Sequence, residues 1–302
     1  MQAQREWPDV TTVREALARA SSFLREAGVA DPPFEAELLL RHCLGWDRTR
    51  YLISLGEPMP ADALACLIDL CQRRARREPI QYMIGTQEFY GRPFRVRPGV
   101  LIPRPETEIL VEQVLRHAAV IWPSEQPLVV ADIGTGSGAI CVTLACERPH
   151  WQVSTVDLSP DATVIARENA EQLGARVRFL QGDLTQPLVE EGLQVDILVS
   201  NPPYIPSAVV DTLDAEVRAY EPRLALDGGA DGLDCYRRLC EALPAVLKRP
   251  GLVAFEVGIH QSRDVARLMK ESGVIDEVEI IPDLAGIERV VVGRAGTPSS
   301  QR

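Results

Sequence analysis

Residues 128–140, LVVADIGTGSGAI, set the reading of the whole chain. The apolar run from Leu128 to Ile133, interrupted only by Asp132, has the length of a buried strand. Glycines 134, 136 and 138 follow at once, and a helical pattern starts directly behind them. Glycine is wanted where the backbone turns sharply and approaches a ligand without Cβ atoms in the way, at the carboxyl end of the first strand of an open sheet. Gly134, Thr135, Gly136, Ser137 and Gly138 are therefore candidate ligand-binding positions. The loop alone leaves the ligand open. Gly134, Gly136 and Ala139 also satisfy the looser G-x-G-x-x-A dinucleotide pattern, and a tight glycine turn can serve no ligand at all.

Outward from this loop, strands alternate with helices. Helices are expected over 106–121, 138–147, 161–173, 234–247 and 261–271, and strands over 128–133, 152–156, 177–180, 195–200, 252–257, 277–281 and 288–292. The segment between 200 and 234 shows few regular signals. This order describes an α/β fold, a doubly wound Rossmann-like sheet closed by a terminal antiparallel strand pair. Ahead of it the chain reads as all helix. Thr12 with Glu15 forms a capping-box start, Asp31 before Pro32 opens a helix to Gly45, Asp47 opens a short one to Leu55, and Ala61 to Arg77 makes a fourth. Glu88 to Val96 alternates apolar and polar residues around Gly91 and Pro93, as a β-hairpin would. The expected divisions are a helical bundle over 1–83, a hairpin linker over 84–104, an α/β domain over 105–295 and a disordered tail over 296–302.

Of 302 residues, 46% are apolar and 25% charged, a composition that excludes disordered and fibrous chains. No apolar run reaches the roughly 18 residues that span a bilayer. The opening MQAQREWPDV carries acids where a signal peptide carries bases, so a cytoplasmic, membrane-free protein is expected. The net charge of −11 argues against a chain whose main task is gripping a polyphosphate. Residues 1–85 hold 11 basic and 12 acidic side chains, so the acidity lies beyond the bundle. Seven cysteines without C-x-x-C spacing, beside four histidines, fit neither a zinc site nor a disulfide framework and are expected to be reduced, buried thiols.

The second strand ends in Asp157, 21 residues after Gly136, where an acid accepts hydrogen bonds from the ribose of an adenosine. The third ends in QGDL, where Asp183 can accept from an adenine amine and the backbone at Leu184 can meet the ring edge. A plain loop acid is the competing reading. The fourth strand, VDILVSNPPYIP, carries Asn201, Pro202, Pro203 and Tyr204 to the same edge. Alkylating a planar amide or amino nitrogen is hard because its lone pair is delocalised, so a site must hold the NH2 with acceptors that aim the lone pair. The Asn201 side-chain oxygen and the Pro202 carbonyl supply two acceptors. The prolines stiffen their placement, and Tyr204 offers a face for stacking.

With these residues in place the chain resembles class I S-adenosylmethionine-dependent methyltransferases, and more closely the PrmC (HemK) family of protein-glutamine methyltransferases. The resemblance rests on PIQYMIGTQEFYG, LIPRPETEIL, DIGTGSGAI, Asp157, SNPPYI and LALDGGADGLDCYRRL. It implies S-adenosyl-L-methionine as cofactor, bound by Gly134 to Gly138, Asp157, Asp183, Leu184 and Asn201. It implies Asn201, Pro202, Pro203 and Tyr204 as the glutamine site, with Asn201, Pro202 and Tyr204 catalytic. Class 1 peptide chain release factors, methylated at the glutamine of a Gly-Gly-Gln motif, are the implied partners. The bundle would dock them, and a monomer with no metal and no direct nucleic-acid contact is expected. Leu184 stands where some members carry an aromatic. Arg104, Glu106 and Thr107 of IPRPETE would close over the pocket or merely start a helix. Glu256 ends the fifth strand at the functional edge, as a site acid, a helix cap or an arginine partner. His260 reads as an exposed loop residue before a base. The rival readings are a ribosomal-protein glutamine methyltransferase, a nucleic-acid adenine methyltransferase, and a non-catalytic adenosine-binding protein.

Overall fold

The computed structural model describes residue 7 and residues 10–296. The tail expected to be disordered lies, beyond its first residue, outside the described residues. By contacts the chain forms two compact units, residues 1–85 with Ala215–Tyr220, and residues 86–214 with 221–302.

The first unit is helical: α1 (Val13–Glu26), α2 (Pro32–Leu44), α3 (Arg48–Ile53), α4 (Ala61–Ala75) and α5 (Ile80–Ile84). Two of the expected starts are capped by side chains, whereas Asp31 before α2 makes no side-chain cap bond. Thr12 and Glu15 make a reciprocal capping box, and the Asp47 carboxylate accepts from Arg50 N at 2.7 Å. Gly45 ends α2 at φ 64°, a left-handed conformation that costs glycine little. Val13, Ala16, Ala20 and Leu24 of α1 pack with Leu39 and Leu40 of α2 and with Leu64, Leu67 and Cys71 of α4 in one apolar core. The buried Arg74 guanidinium is held by Glu35 at 2.5 Å and by Glu216 at 2.7 Å. The cysteine expectation needs one correction. Facing turns of α2 and α4 bring Cys43 and Cys66 to a Cα separation of 5.9 Å, and the two are joined as a disulfide. Cys71, Cys141 and Cys240 are buried free thiols, whereas Cys146 and Cys235 are only half-buried.

The second unit begins with the hairpin β1 (Thr86–Phe89) and β2 (Arg92–Arg95). Its two-residue turn, Tyr90-Gly91, has φ 52° and 68°, the positive pair that matches hairpin twist. Phe89 and Phe94, fully buried and edge-to-face at 5.9 Å, join the core of this unit. The elements α6 (Glu106–Ile121), β3 (Val129–Ile133), α7 (Ala139–Glu147), β4 (Gln152–Asp157), α8 (Pro160–Leu173), β5 (Val177–Gln181), α9 (Gln186–Glu190) and β6 (Val195–Ser200) follow. The segment that gave few regular signals holds the short helix α10 (Ser207–Val210), the helix α11 (Ala215–Tyr220) that belongs to the first unit, and a 3-10 turn at Arg223–Ala225. Then come α12 (Asp234–Val246), β7 (Leu247–Glu256), α13 (Ser262–Glu271), β8 (Glu277–Pro282) and β9 (Glu288–Ala295).

The seven strands lie in the order β5-β4-β3-β6-β7-β9-β8. β5 to β7 run parallel, and β9 and β8 pair antiparallel at the end. The period-two alternation of each strand divides its side chains between two cores. Val130, Ile197, Val199, Leu252, Ala254, Val290 and Val292 face the core shared with α6 and α7. Ala131, Ile133, Leu198, Val253, Phe255 and Val291 face that of α12 and α13. Such a sheet is apolar on both faces, as parallel strands covered by helices must be. Its two edges are dressed differently. On β5 the Arg167 guanidinium lies 4.6 Å over the Phe179 ring, and on β8 Glu277 and Glu279 pair with Arg294 and Arg116, each at 2.9 Å. Among the described residues no helix is long and apolar enough to cross a membrane.

Candidate active site

The chain order reverses beside β3, which carries β4 on one side and β6 on the other, and this opens a crevice at the carboxyl ends of the strands. A cavity of about 340 Å³ occupies that crevice, within the usual range of small-ligand pockets. Its wall includes Gly134, Thr135, Gly136, Ser137, Asp157, Asp183, Leu184, Asn201 and Pro203. Three of the expected residues do not line it. Gly138 caps α7 at φ 84°, Pro202 is buried, and Tyr204 faces a neighbouring cavity of about 630 Å³.

The glycine loop is held open by its own backbone. Gly134 and Gly136 adopt φ 90° and 52°, conformations that a side chain would strain. A Cβ on Gly138 would come within 3.1 Å of the Ala166 methyl, so this glycine lets α7 lie against α8. Asn169 fixes the loop from beneath. Fully buried, it donates to the carbonyls of Ser137 at 2.8 Å and Arg95 at 3.0 Å and accepts from Arg95 N at 2.8 Å. One amide thus ties the β2 backbone to the glycine loop.

Asp157 accepts from Gly136 N at 2.9 Å through Oδ2 and from Ser159 N at 2.8 Å through Oδ1. Burial raises its pKa while these backbone donors pull it down. The backbone N–H groups of Leu158 and Thr135 also favour its charged form, and the carboxylate stands on the cavity wall. Asp183 is engaged by Arg238 at 2.6 Å through Oδ2, a partner that sequence reading did not supply, and Leu184 sits at φ 50°. Arg238 and Cys235, both on α12, complete that wall. A loop whose Gly136 has open space where a Cβ would stand, beside a carboxylate on the same cavity wall, fits an adenosyl ligand.

At the end of β6 the Asn201 amide donates through Nδ2 to Thr107 Oγ1 at 3.2 Å, which leaves Oδ1 as its free end. The Tyr204 hydroxyl reaches toward Glu256 Oε1 at 3.5 Å, and burial followed by the Glu256 charge raises its pKa. Glu256 is buried, and this desolvation pushes its carboxyl up to about 7. Among the described residues it neither caps a helix nor pairs with an arginine at ion-pair distance. Arg289 is spent on Asp283 at 3.2 Å. Arg104 pairs with the buried Glu221 at 2.5 Å, and Thr107 is buried in the first turn of α6. His260 is exposed at φ 71°. Sequence reading also missed Gln261. Its carboxamide accepts from Gly258 N at 3.0 Å and donates to the carbonyls of Tyr204 at 2.9 Å and Gly232 at 3.3 Å, pinning three loops together.

A switch-point crevice with a glycine loop, an acid ending the second parallel strand and an Asn-Pro-Pro-Tyr strand end defines an S-adenosylmethionine-dependent methyltransferase. Two sequence families match, the PrmC N-terminal domain over residues 15–85 and the methyltransferase small domain over residues 107–218. The release factor glutamine methyltransferase of Geobacter sulfurreducens is 45% identical over 291 residues, covering 96% of this chain and 99% of that protein. That of Bacillus subtilis is 44% identical over 280 residues, covering 93% and 96%. A methyltransferase crystal structure from Pyrococcus furiosus shares the fold at TM-score 0.52 and 18% identity, covering 75% of this chain and 99% of that one. The chain belongs to the release factor glutamine methyltransferase family.

Proposed function

We infer that this protein methylates the side-chain amide nitrogen of a glutamine in a peptide chain release factor, the acceptor lying in a Gly-Gly-Gln loop. When bound, S-adenosyl-L-methionine supplies an electrophilic methyl group on a sulfonium sulfur. Gly134 to Gly138 and Asp157 would hold its amino-acid and ribose parts, with Asp183 and Leu184 at the adenine.

The observation that carries the reading is the orientation of Asn201. With its NH2 committed to Thr107, Oδ1 is left to accept from a substrate amide, and the Pro202 carbonyl is the second acceptor. Held by two acceptors, a carboxamide nitrogen is fixed with its lone pair aimed at the methyl. The same two oxygens stabilise the positive charge that develops on that nitrogen. Proton loss to water can follow, so no strong base is required beforehand. Tyr204 lines the neighbouring cavity. Stacking of its ring on the planar amide therefore requires the glutamine to enter from that side, with Pro203 on the cofactor side. Enzyme and purified release factor incubated with S-adenosylmethionine should yield one added methyl by mass spectrometry, on the Gly-Gly-Gln glutamine alone. No methyl on that glutamine, with cofactor binding still seen by calorimetry, would reject this substrate.

A further inference from the structure

Asn201 has two ends of nearly equal shape and opposite hydrogen-bonding sense, and the proposed reaction works with only one of them facing the substrate. What holds that end in place is not Thr107 alone, because a hydroxyl can accept from an NH2 or donate to a carbonyl with little change in position. We propose that Glu256 is a positioning residue that sets the polarity of the Asn201–Thr107 hydrogen bond, and so keeps Asn201 Oδ1 turned toward the substrate amide. The inference rests on the reading of Asn201 given above.

The geometry makes Glu256 the group that decides. Thr107 Oγ1 accepts from Asn201 Nδ2 at 3.2 Å and still has its own hydrogen to donate. Both Thr107 and Glu256 are buried, and Glu256 Oε2 has no hydrogen-bond partner. A buried carboxylate oxygen left unpaired costs free energy, so a donor brought to it is held firmly. Thr107 and Asn201 are the neighbouring donors that favour its charged form, and neither has closed on Oε2 in the structure. The other groups facing it do not take the role. The Tyr204 hydroxyl stands 3.5 Å from Oε1, and the Tyr236 hydroxyl is spent on the Glu256 backbone carbonyl at 2.6 Å. Arg289 of β9 favours the carboxylate from a distance, and Glu106 of α6 opposes it.

A charged carboxylate only accepts. The hydroxyl of Thr107 then donates to Glu256, its oxygen receives the Asn201 NH2, and Asn201 Oδ1 is left for the substrate. A protonated Glu256 can donate to Thr107 Oγ1, the hydroxyl can turn to a flipped Asn201, and the amide then meets the substrate NH2 donor to donor. Burial brings the carboxyl up to about 7, so the switch between these states falls near neutrality, with the productive state on the alkaline side.

The test follows the side-chain NH2 resonance of Asn201 in the full chain loaded with S-adenosylmethionine, from about pH 5 to about pH 9. The signal is identified by its loss in Asn201→Asp. A single titration is expected in the native protein, absent in Glu256→Gln and in Thr107→Val and present in Thr107→Ser, which keeps the hydroxyl. In parallel, kcat/KM for release factor methylation should rise along the same curve. Glu256→Gln should lose that limb and fall about tenfold or more above it, while cofactor affinity stays within about twofold. A flat Asn201 signal in the native protein, or an unchanged acid limb in Glu256→Gln, overturns the proposal. Titration of the amide with no methyl transferred to any release factor would instead reject the substrate and leave the Glu256 relay standing.

Discussion

Replacing Asn169 by leucine tests whether the β2 backbone and the glycine loop are mechanically one piece. The side chain is fully buried and satisfies three backbone groups, and leucine fills the space while satisfying none. The Ser137 carbonyl, sealed from water, should carry the larger penalty. Unsatisfied buried groups cost about 1–3 kcal/mol each, and the two Arg95 groups, nearer solvent, fall at the low end, so about 3 kcal/mol in total is expected. For a unit of this size that lowers the melting midpoint by about 6–12 °C. Calorimetry of the full chain with and without S-adenosylmethionine would measure it. The cofactor should also bind more weakly, because Ser137 belongs to its loop. Asn169→Asp should be no milder despite its shape, since it accepts where the site needs two donations. A midpoint within about 2 °C of native for the leucine variant would refute the clamp.

Asn201→Ala should reduce methyl transfer by about 100-fold or more while leaving cofactor affinity within a few-fold by calorimetry; full activity would remove Asn201 from its proposed role. Asp157→Ala frees Gly136 N and Ser159 N and removes the ribose acceptor, so cofactor binding should weaken by about 10–100-fold, and an unchanged Kd would contradict that assignment. Asp132 is fully buried with Oδ1 unpartnered, and burial pushes its carboxyl from 3.8 to about 8. Between those values the unfolded chain ionises and the folded one does not, so this group makes stability fall as pH rises. Asp132→Asn should match the native protein at low pH and exceed it progressively toward pH 8 in denaturant titrations. A constant difference across that range would show that Asp132 ionises in the fold.

The periodic parts of the fold were legible and the aperiodic parts were not. Helix α6 stands at the residues expected because its about four turns fix its phase, and strand β6 because its apolar run is stopped by the Asn-Pro-Pro turn. The helices α5, α9, α10 and α11 span at most six residues, too few to repeat an apolar position, and three of them sit beside prolines that read as loop. At the site, the strand-end motifs placed Gly134, Asp157 and Asn201 around one cavity. The residues that orient them belong to no motif. Asn169 reads as the polar face of an amphipathic helix, and Gln261 as a helix start. Their partners lie 74 and 57 positions away in the chain, where local pattern carries no information. The disulfide between Cys43 and Cys66 escaped for the same reason, since which helix faces meet is decided by packing.

The two edges of the sheet bear on what becomes of this protein at high concentration. An uncovered strand offers unpaired N–H and C=O groups as a template on which another chain can crystallise into an added strand. On β8 that template is broken at its end by Pro282, which has no N–H, and lined with charged pairs through Glu277 and Glu279 that a second strand would have to desolvate. On β5 the aromatic that would nucleate such stacking is already roofed by Arg167. A sheet that is apolar on both faces is thereby kept from growing sideways.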